Sequence, residues 1–241
     1  MQNVESHPGV DPFGYIRRNV EKVREELADA ARSAGVQPPR LIPVTKSAEN
    51  EEFLAFLRLY PAVAAENRVQ AWQERSALLA AAALPSPEWH LIGSLQTNKV
   101  KYVVGKVALI QSVDSEKLIR EIGRIAVLRG VRPDILLEIN SGKEEDKGGA
   151  LPENALQLAE FANATPGVRL TGVMTMGPAL PDPEATRPYF ALTRGILDDL
   201  CARSLIAVDS PILSMGMSGS YIAAVKEGAN MVRIGRALFA K

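Results

Sequence analysis

The chain has 241 residues, 46% of them hydrophobic, and its 28 basic and 28 acidic side chains give a formal net charge of zero. This balance argues against nucleic acid or an anionic membrane as a partner. No apolar run reaches the roughly 18 residues of a transmembrane helix, and residues 1–10 lack the basic and apolar segments of a signal peptide. The single cysteine, Cys201, excludes an internal disulfide and a cysteine-based zinc site. We therefore expect a cytoplasmic protein without a metal.

The chain opens with a helical pattern. Residues 15–35 read YIRRNVEKVREELADAARSAG, in which apolar residues recur at helical spacing and a glycine follows the last of them. This pattern predicts a first helix that buries one face and ends at the glycine. The apolar residues are Ile16, Val20, Val23, Leu27 and Ala31.

Eight short runs rich in β-branched and apolar residues follow, and each is typical of a buried parallel strand. The runs are residues 41–46, 62–67, 89–93, 109–113, 134–140, 170–176, 212–217 and 231–235. Longer segments with helical spacing separate them, such as the one that Ser115 caps and Gly130 ends.

Strands that alternate with helices predict an α/β fold, here a (β/α)8 or TIM barrel, as a single domain over residues 1–241. Little sequence remains for a helix after the eighth strand. In a closed ring, however, the position after the last strand is also the position before the first. We therefore expect the N-terminal helix to complete the outer ring.

Lys46 is the one lysine of ten that falls at a predicted strand end. Barrel enzymes place their chemistry at the C-terminal ends of the strands. We expect the barrel mouth to desolvate this lysine and favour its neutral amine, which forms a Schiff base with aldehydes. The alternative is a strand-end lysine whose ammonium group simply reaches solvent. Position alone does not separate the two interpretations.

Two motifs near the C-terminus indicate a phosphate site. LSMGMSGSYIAAVKEG has serines and glycines where the seventh strand meets a helix, so backbone N–H groups there would face a bound anion. MVRIGRALF ends the eighth strand with Arg233 and Gly235, and a glycine lets a ligand approach the backbone. Loops after these strands commonly bind phosphate in such barrels. With Lys46, the motifs favour a phosphorylated aldehyde, of which pyridoxal 5′-phosphate (PLP) is the common example.

A colinear set of motifs covers nearly the whole chain: LIPVTKS, AENRVQ, WHLIGSLQTNK, QSVDSEKL, EINSGKEEDKGG, LTGVMTM, LSMGMS and MVRIGRALF. In these motifs the chain resembles the PLP homeostasis protein family, which is related to the barrel domain of alanine racemase. The resemblance implies a PLP-binding protein of intracellular PLP homeostasis, with no assigned reaction. It suggests PLP-dependent apo-enzymes as partners, and we expect a monomer.

The resemblance also implies roles for individual residues. Lys46 would hold PLP as a Schiff base, with Asn67 beside the cofactor. Arg233 would face the pyridine nitrogen, while Ser214, Gly235 and the amide of the residue after it would hold the phosphate. The cofactor-binding residues predicted in this way are Lys46, Asn67, Ser214, Met215, Arg233, Gly235 and Arg236.

Four positions depart from the family pattern: Ala65 replaces a glycine, Arg68 a tyrosine, Gly219–Ser220 an acidic pair and Arg236 a threonine. The change at Arg236 removes a hydroxyl from the expected phosphate site. We interpret this arginine as a side chain that points to solvent. The alternative is a guanidinium that folds over the phosphate as a charge-assisted contact.

Two enzyme classes are alternatives to a PLP carrier. A PLP-dependent racemase or decarboxylase of this relationship would need a second β domain with its own base, for which an eight-stranded barrel leaves no residues. An arginine against the pyridine nitrogen also keeps that nitrogen unprotonated and weakens the ring as an electron sink. A class I Schiff-base aldolase would carry its lysine on a later strand, and LTGVMTM has none. We also interpret His90 as a packed, hydrogen-bonded core residue rather than a base.

Overall fold

The computed structural model describes residues 11–206 and 208–241; residues 1–10, where we predict no signal peptide, lie outside this range. The strands are β1 Arg40–Pro43, β2 Val63–Glu66, β3 Glu88–Leu91, β4 Leu109–Val113, β5 Asp134–Ile139, β6 Arg169–Thr175, β7 Ile212–Ser214 and β8 Met231–Ile234. Each of the eight predicted strands is therefore found, and seven of them end one to three residues earlier than predicted.

Helices follow the strands in alternation. The α-helices are α1 Gly14–Ala34, α2 Asn50–Leu59, α3 Val69–Ala81, α4 Val100–Val103, α5 Glu116–Arg129, α6 Ala155–Ala164, α7 Arg187–Ala202, α8 Tyr221–Lys226 and α9 Arg236–Phe239. Short 3-10 turns cover Thr45–Ser47, Thr97–Lys99, Pro152–Asn154 and Pro183–Thr186. In the described ranges, no helix is both long enough and apolar enough to cross a membrane.

The strands form one parallel sheet in the order β1-β8-β7-β6-β5-β4-β3-β2. A single parallel bridge, between Val44 and Ala65, joins β1 to β2 and closes the ring. The opposite edge of β1 is fully paired, because Arg40 to Pro43 lie in register with Met231 to Ile234 of β8. This topology confirms the predicted TIM barrel.

The alternation of side chains along each strand divides the core into two layers. A small cluster fills the barrel interior, and a larger one lies between the sheet and the helices. The interior cluster consists of Ile42, Val44, Ala65, Leu109, Leu136, Met174 and Met231. A strand residue that lies an even number of residues from a member of this cluster therefore also points into the barrel.

The N-terminal helix α1 completes the outer ring, as predicted. It packs against α8 and α9, the two short helices that flank β8. The Asn19 side-chain amide donates to the carbonyl oxygens of Leu238 (3.2 Å) and Ala240 (2.8 Å), and the Tyr221 hydroxyl of α8 donates to Glu26. Gly35 ends α1 in the left-handed region, with φ of 68°. Helix α1 thus occupies the position in the outer ring that a full-length helix after β8 would otherwise fill.

If α1 closes the ring, its buried face must contribute to the stability of the whole barrel. Leu27 is 3% exposed, so we expect Leu27→Ala to lower the free energy of unfolding by about 2–5 kcal/mol. Arg17→Ala, on the exposed face of the same helix, should change it by less than about 0.5 kcal/mol. Urea unfolding of both variants measures the difference. Equal stability of the two variants would mean that α1 is an appendage.

Candidate functional site

Lys46 lies in a 3-10 turn, Thr45–Ser47, that follows β1 at the C-terminal face of the barrel. The prediction that the first strand extends to Lys46 is wrong, since β1 ends at Pro43. The main chain makes one further ladder contact, from the amide of Val44 to the carbonyl of Ile234 (2.8 Å), and then curls. The Lys46 side chain is exposed rather than desolvated in the mouth. The expected desolvation is therefore not found, and the Schiff base on Lys46 stays a prediction.

Arg75 of α3 holds this turn from outside the barrel. Its guanidinium donates to the carbonyl oxygens of Thr45 (3.5 Å) and Ala48 and to the side-chain oxygen of Asn50 (2.7 Å). The same group lies over the ring of Phe53, 4.6 Å from its centroid. Because a planar guanidinium presents several donors in one plane, it can bind all these acceptors at once. These contacts explain why the chain turns at Thr45 instead of continuing as a strand.

Glu66, the last residue of β2, also binds the Thr45–Ser47 turn. Its carboxylate accepts from the Thr45 hydroxyl at 2.6 Å and lies 3.9 Å from the Arg75 guanidinium. Burial raises the pKa of Glu66, against the opposing effects of the Thr45 hydrogen bond and the Arg75 charge. Its second carboxylate oxygen is buried without a partner among the described residues.

Lys46 and Asn67 line one surface cavity beside β2 and α3, together with Glu66 and Arg68. Asn67 follows β2 directly and is half-buried. Its main chain packs tightly against the next strand, since a Cβ at Gly93 would lie only 2.2 Å from the Asn67 carbonyl oxygen. The glycine therefore allows Asn67 to sit at the rim. The structure brings these two predicted site residues together.

Arg233 occupies the centre of the barrel, where β8 meets β7. Its side chain is 2% exposed. One terminal nitrogen, Nη1, donates to the Ser214 hydroxyl at 2.6 Å, and the other, Nη2, donates to the Thr175 carbonyl at 2.8 Å. The remaining N–H groups of this guanidinium have no acceptor among residues 11–206 and 208–241. Arg233 therefore retains donors for a ligand.

A chain of hydrogen bonds continues from Arg233 across the barrel interior. The Ser214 hydroxyl donates to Gln111 Oε1 (2.7 Å), and Gln111 Nε2 donates to His90 Nδ1 (2.9 Å). His90 Nε2 donates in turn to the carboxylate of Glu88 (3.0 Å), at the N-terminal face of the barrel. We call Arg233, Ser214, Gln111, His90 and Glu88 the interior chain. The prediction that His90 is a packed, hydrogen-bonded residue is confirmed.

The charges along the interior chain are well defined. Burial lowers the pKa of Arg233 to about 10, so the guanidinium remains positive at neutral pH. Burial also lowers the pKa of His90, whose imidazole is therefore neutral. Hydrogen bonds from His90 and Arg40 hold the pKa of Glu88 at about 2, which leaves it ionised. The chain thus runs from a fixed cation to a fixed anion.

Glu138 of β5 is a second titratable group at the mouth. Burial raises its pKa to about 7, and the nearby charge of Asp114 adds to this effect while that of Arg233 opposes it. Our sequence reasoning missed Glu138. A signal was available, because Glu138 shares the parity of Leu136, which faces the barrel interior. It also lines a cavity above β5 and β6 with Asn140 and Lys147.

The loop after β7 and the start of α9 form one joined surface. The Ser218 hydroxyl accepts a hydrogen bond from the amide of Ala237 at 3.2 Å, which links the loop to the helix. Gly216, at φ of 93°, turns the main chain into this loop, where a Cβ would lie 2.6 Å from the Ala224 side chain. The Ser218 hydroxyl keeps its own proton for donation, whereas the Ser214 proton is committed to Gln111. Our sequence reasoning did not single out Ser218 as a candidate.

The other predicted site residues fall near this surface in different ways. Gly235 is needed for close packing, because a Cβ there would lie 2.9 Å from the Val44 carbonyl oxygen. This contact brings the start of α9 beside the strand that leads into the Lys46 turn. Arg236 is exposed and forms no ion pair within the described ranges. Met215 packs in the outer core, so only its main chain faces the mouth.

The chain matches the family model "Alanine racemase, N-terminal domain" over residues 16–241. It is 40% identical over 224 residues to the pyridoxal phosphate homeostasis protein of Aquifex aeolicus, which covers 93% of this chain and 95% of that protein. The human protein of the same name is 30% identical and covers 93% of this chain and 84% of its own length.

Solved structures share the fold. PipY of Synechococcus elongatus, in a structure with PLP bound, is 29% identical with a TM-score of 0.77, over 93% of this chain and 100% of PipY. An alanine racemase of Clostridium difficile shares the fold at 17% identity, with a TM-score of 0.68 over 95% of this chain and 60% of the racemase. The chain therefore belongs to the pyridoxal phosphate homeostasis protein family, which is related to the N-terminal domain of alanine racemase.

Proposed function

We propose that this chain binds PLP for intracellular PLP homeostasis, holding it on Lys46 as a Schiff base and releasing it to other proteins. The observation that carries the proposal is the buried Arg233, whose guanidinium keeps N–H groups without an acceptor in the described ranges, together with Lys46, which follows β1 at the C-terminal face of the barrel. The pairing of β1 with β8 brings the two residues to the same sector of the barrel. The homologue PipY, with PLP bound, supports this choice of ligand.

The donor set of the mouth fits the two ends of PLP. The pyridine nitrogen is a neutral acceptor, and the guanidinium of Arg233 is a buried donor that stays charged. The phosphate is an anion that accepts several hydrogen bonds. The Ser218 hydroxyl and the amide of Arg236 are donors on one surface for it, since the amides of Ala237 and Leu238 are already bonded, and Ser214 contributes less because its proton is bound to Gln111.

The exposed position of Lys46 suits reversible binding. The Lys46 amine would form a C=N bond with the aldehyde that bound PLP would supply, with loss of one water molecule. Because the Lys46 side chain reaches solvent, water or a second amine has access for the reverse step. The contacts from Arg75 and Glu66 hold the turn at Thr45, while the Lys46 side chain stays exposed. This combination favours a carrier over an enzyme that protects a reactive carbanion.

A racemase or decarboxylase is the weaker proposal. PLP enzymes with an acidic partner at the ring nitrogen stabilise a carbanion by drawing electrons into a protonated pyridine ring. Arg233 cannot supply that proton, since its pKa of about 10 keeps it protonated at neutral pH and the group only donates a hydrogen bond. The charge of Glu138 opposes the effect of burial and helps to keep the pKa of Arg233 high.

Covalent attachment to Lys46 can be tested directly. After incubation with PLP and reduction with borohydride, peptide mass mapping should find the pyridoxyl group on Lys46. Lys46→Arg keeps the positive charge but cannot form the adduct, so it should lose both the adduct and the absorbance band of the Schiff base. Lys226→Arg, at an exposed ion pair on α8, should behave as the parent does. An adduct on another lysine of the parent would refute the assignment.

The salt dependence of PLP release distinguishes the two interpretations of Arg236. An exposed arginine without an ion pair in the described ranges favours our interpretation that it points to solvent. We therefore expect Arg236→Thr to retain PLP as well as or better than the parent, because threonine restores a hydroxyl. Retention by the parent should change little between low and high salt.

The measurement for Arg236 is the rate of PLP release to an apo-enzyme acceptor, at both salt concentrations. Arg17→Thr, on the exposed face of α1, serves as the matched control. Faster release from Arg236→Thr than from this control, together with salt-sensitive release from the parent, would instead identify Arg236 as a phosphate ligand.

A further inference from the structure

The proposed function leaves two buried polar residues of the barrel interior without a task. Gln111 is 0% exposed and His90 is 1% exposed, and both lie among the apolar side chains that fill the barrel. Polar groups in such a place cost free energy unless they are hydrogen-bonded. Both are hydrogen-bonded in the interior chain, which ends at Arg233, and Gln111 Nε2 also donates to Met231 Sδ at 3.4 Å.

The interior chain assigns each of its atoms a single role. Arginine can only donate, so the Ser214 oxygen must accept from it and send its own proton elsewhere. That proton goes to Gln111 Oε1, which orients the Gln111 amide and directs Nε2 toward His90. The lowest bond, from His90 to an ionised carboxylate, fixes the tautomer of the imidazole.

We infer that Gln111 and His90 are positioning residues, whose hydrogen bonds fix the guanidinium of Arg233 and so determine the contact that it makes with the pyridine nitrogen. The inference rests on the proposed function. A serine hydroxyl rotates freely unless its proton has a partner, and Gln111 supplies that partner. With Nη1 held by the oriented Ser214 and Nη2 held by the Thr175 carbonyl, the plane of the guanidinium is set at two points.

The position of Arg233 relative to PLP can be read from the ligand itself. The chain is loaded with PLP that carries ¹⁵N at the pyridine nitrogen, whose NMR chemical shift responds to hydrogen bonding and protonation. Gln111→Met keeps the approximate volume but breaks the chain directly below Ser214. We expect its ¹⁵N resonance to move away from that of the parent, because Arg233 loses its oriented acceptor.

Two matched variants separate positioning from packing. His90→Asn keeps an acceptor for the Gln111 amide, and Met174→Leu alters the same interior without touching the chain. Both should keep the ¹⁵N resonance of the parent, although each is expected to lower the melting temperature slightly. A merely structural role of Gln111 would change the melting temperature and leave the nitrogen signal in place.

The outcomes are distinct. A Gln111→Met resonance within the range of Met174→Leu would overturn the inference, even with PLP still bound to Lys46. If Gln111→Met does not fold, His90→Leu breaks the chain one bond lower and must move the resonance for the inference to stand. A parent that forms no adduct at Lys46 would instead refute the proposed function on which the inference rests.

Discussion

The burial of one permanent charge constrains this barrel more than any other feature. A guanidinium in a protein interior is costly unless its donors find acceptors, and truncating its partners exposes that cost. Arg233 is accommodated by a hydroxyl, a main-chain carbonyl and the field of Glu138. The Ser214 hydroxyl must in turn donate to an acceptor. This requirement places polar side chains next to the apolar cluster that fills the barrel.

The two principal residues of the mouth are held in opposite ways. Arg233 is fixed through its side chain, within a packed interior. Lys46 is fixed through its main chain, because Arg75 and Glu66 bind the turn and leave the side chain in solvent. One of the two residues is therefore held in the interior, and the other is exposed to solvent.

The sequence predicted the fold because periodicity and glycine stops are local. The eight strands and the sealing role of α1 followed from patterns within 5 to 20 residues. The turn at Lys46 did not, since the contacts that end β1 come from Arg75, about 30 residues later in the chain. The strand pattern continued to Lys46, and only the tertiary contact shows why the main chain leaves the sheet.

The site was predicted in part for the same reason. Motifs identified Arg233 and Ser214, yet the partner that takes the Ser214 proton lies 103 residues away on another strand. Strand parity could have predicted that Gln111 and Glu138 point inward, because each lies two residues after an interior leucine and so on the same face of its strand. Parity does not give the register between strands, and register decides which inward side chains meet.

The direction of the interior chain has a consequence for proton movement. A relay that conducts protons must be able to run in either sense, with every donor and acceptor exchanging roles after each passage. Here the guanidinium at one end has no lone pair, and the ionised Glu88 at the other end has no proton. The interior chain consequently has one arrangement of its hydrogens. It can hold side chains in position across the barrel, but it offers no path for protons.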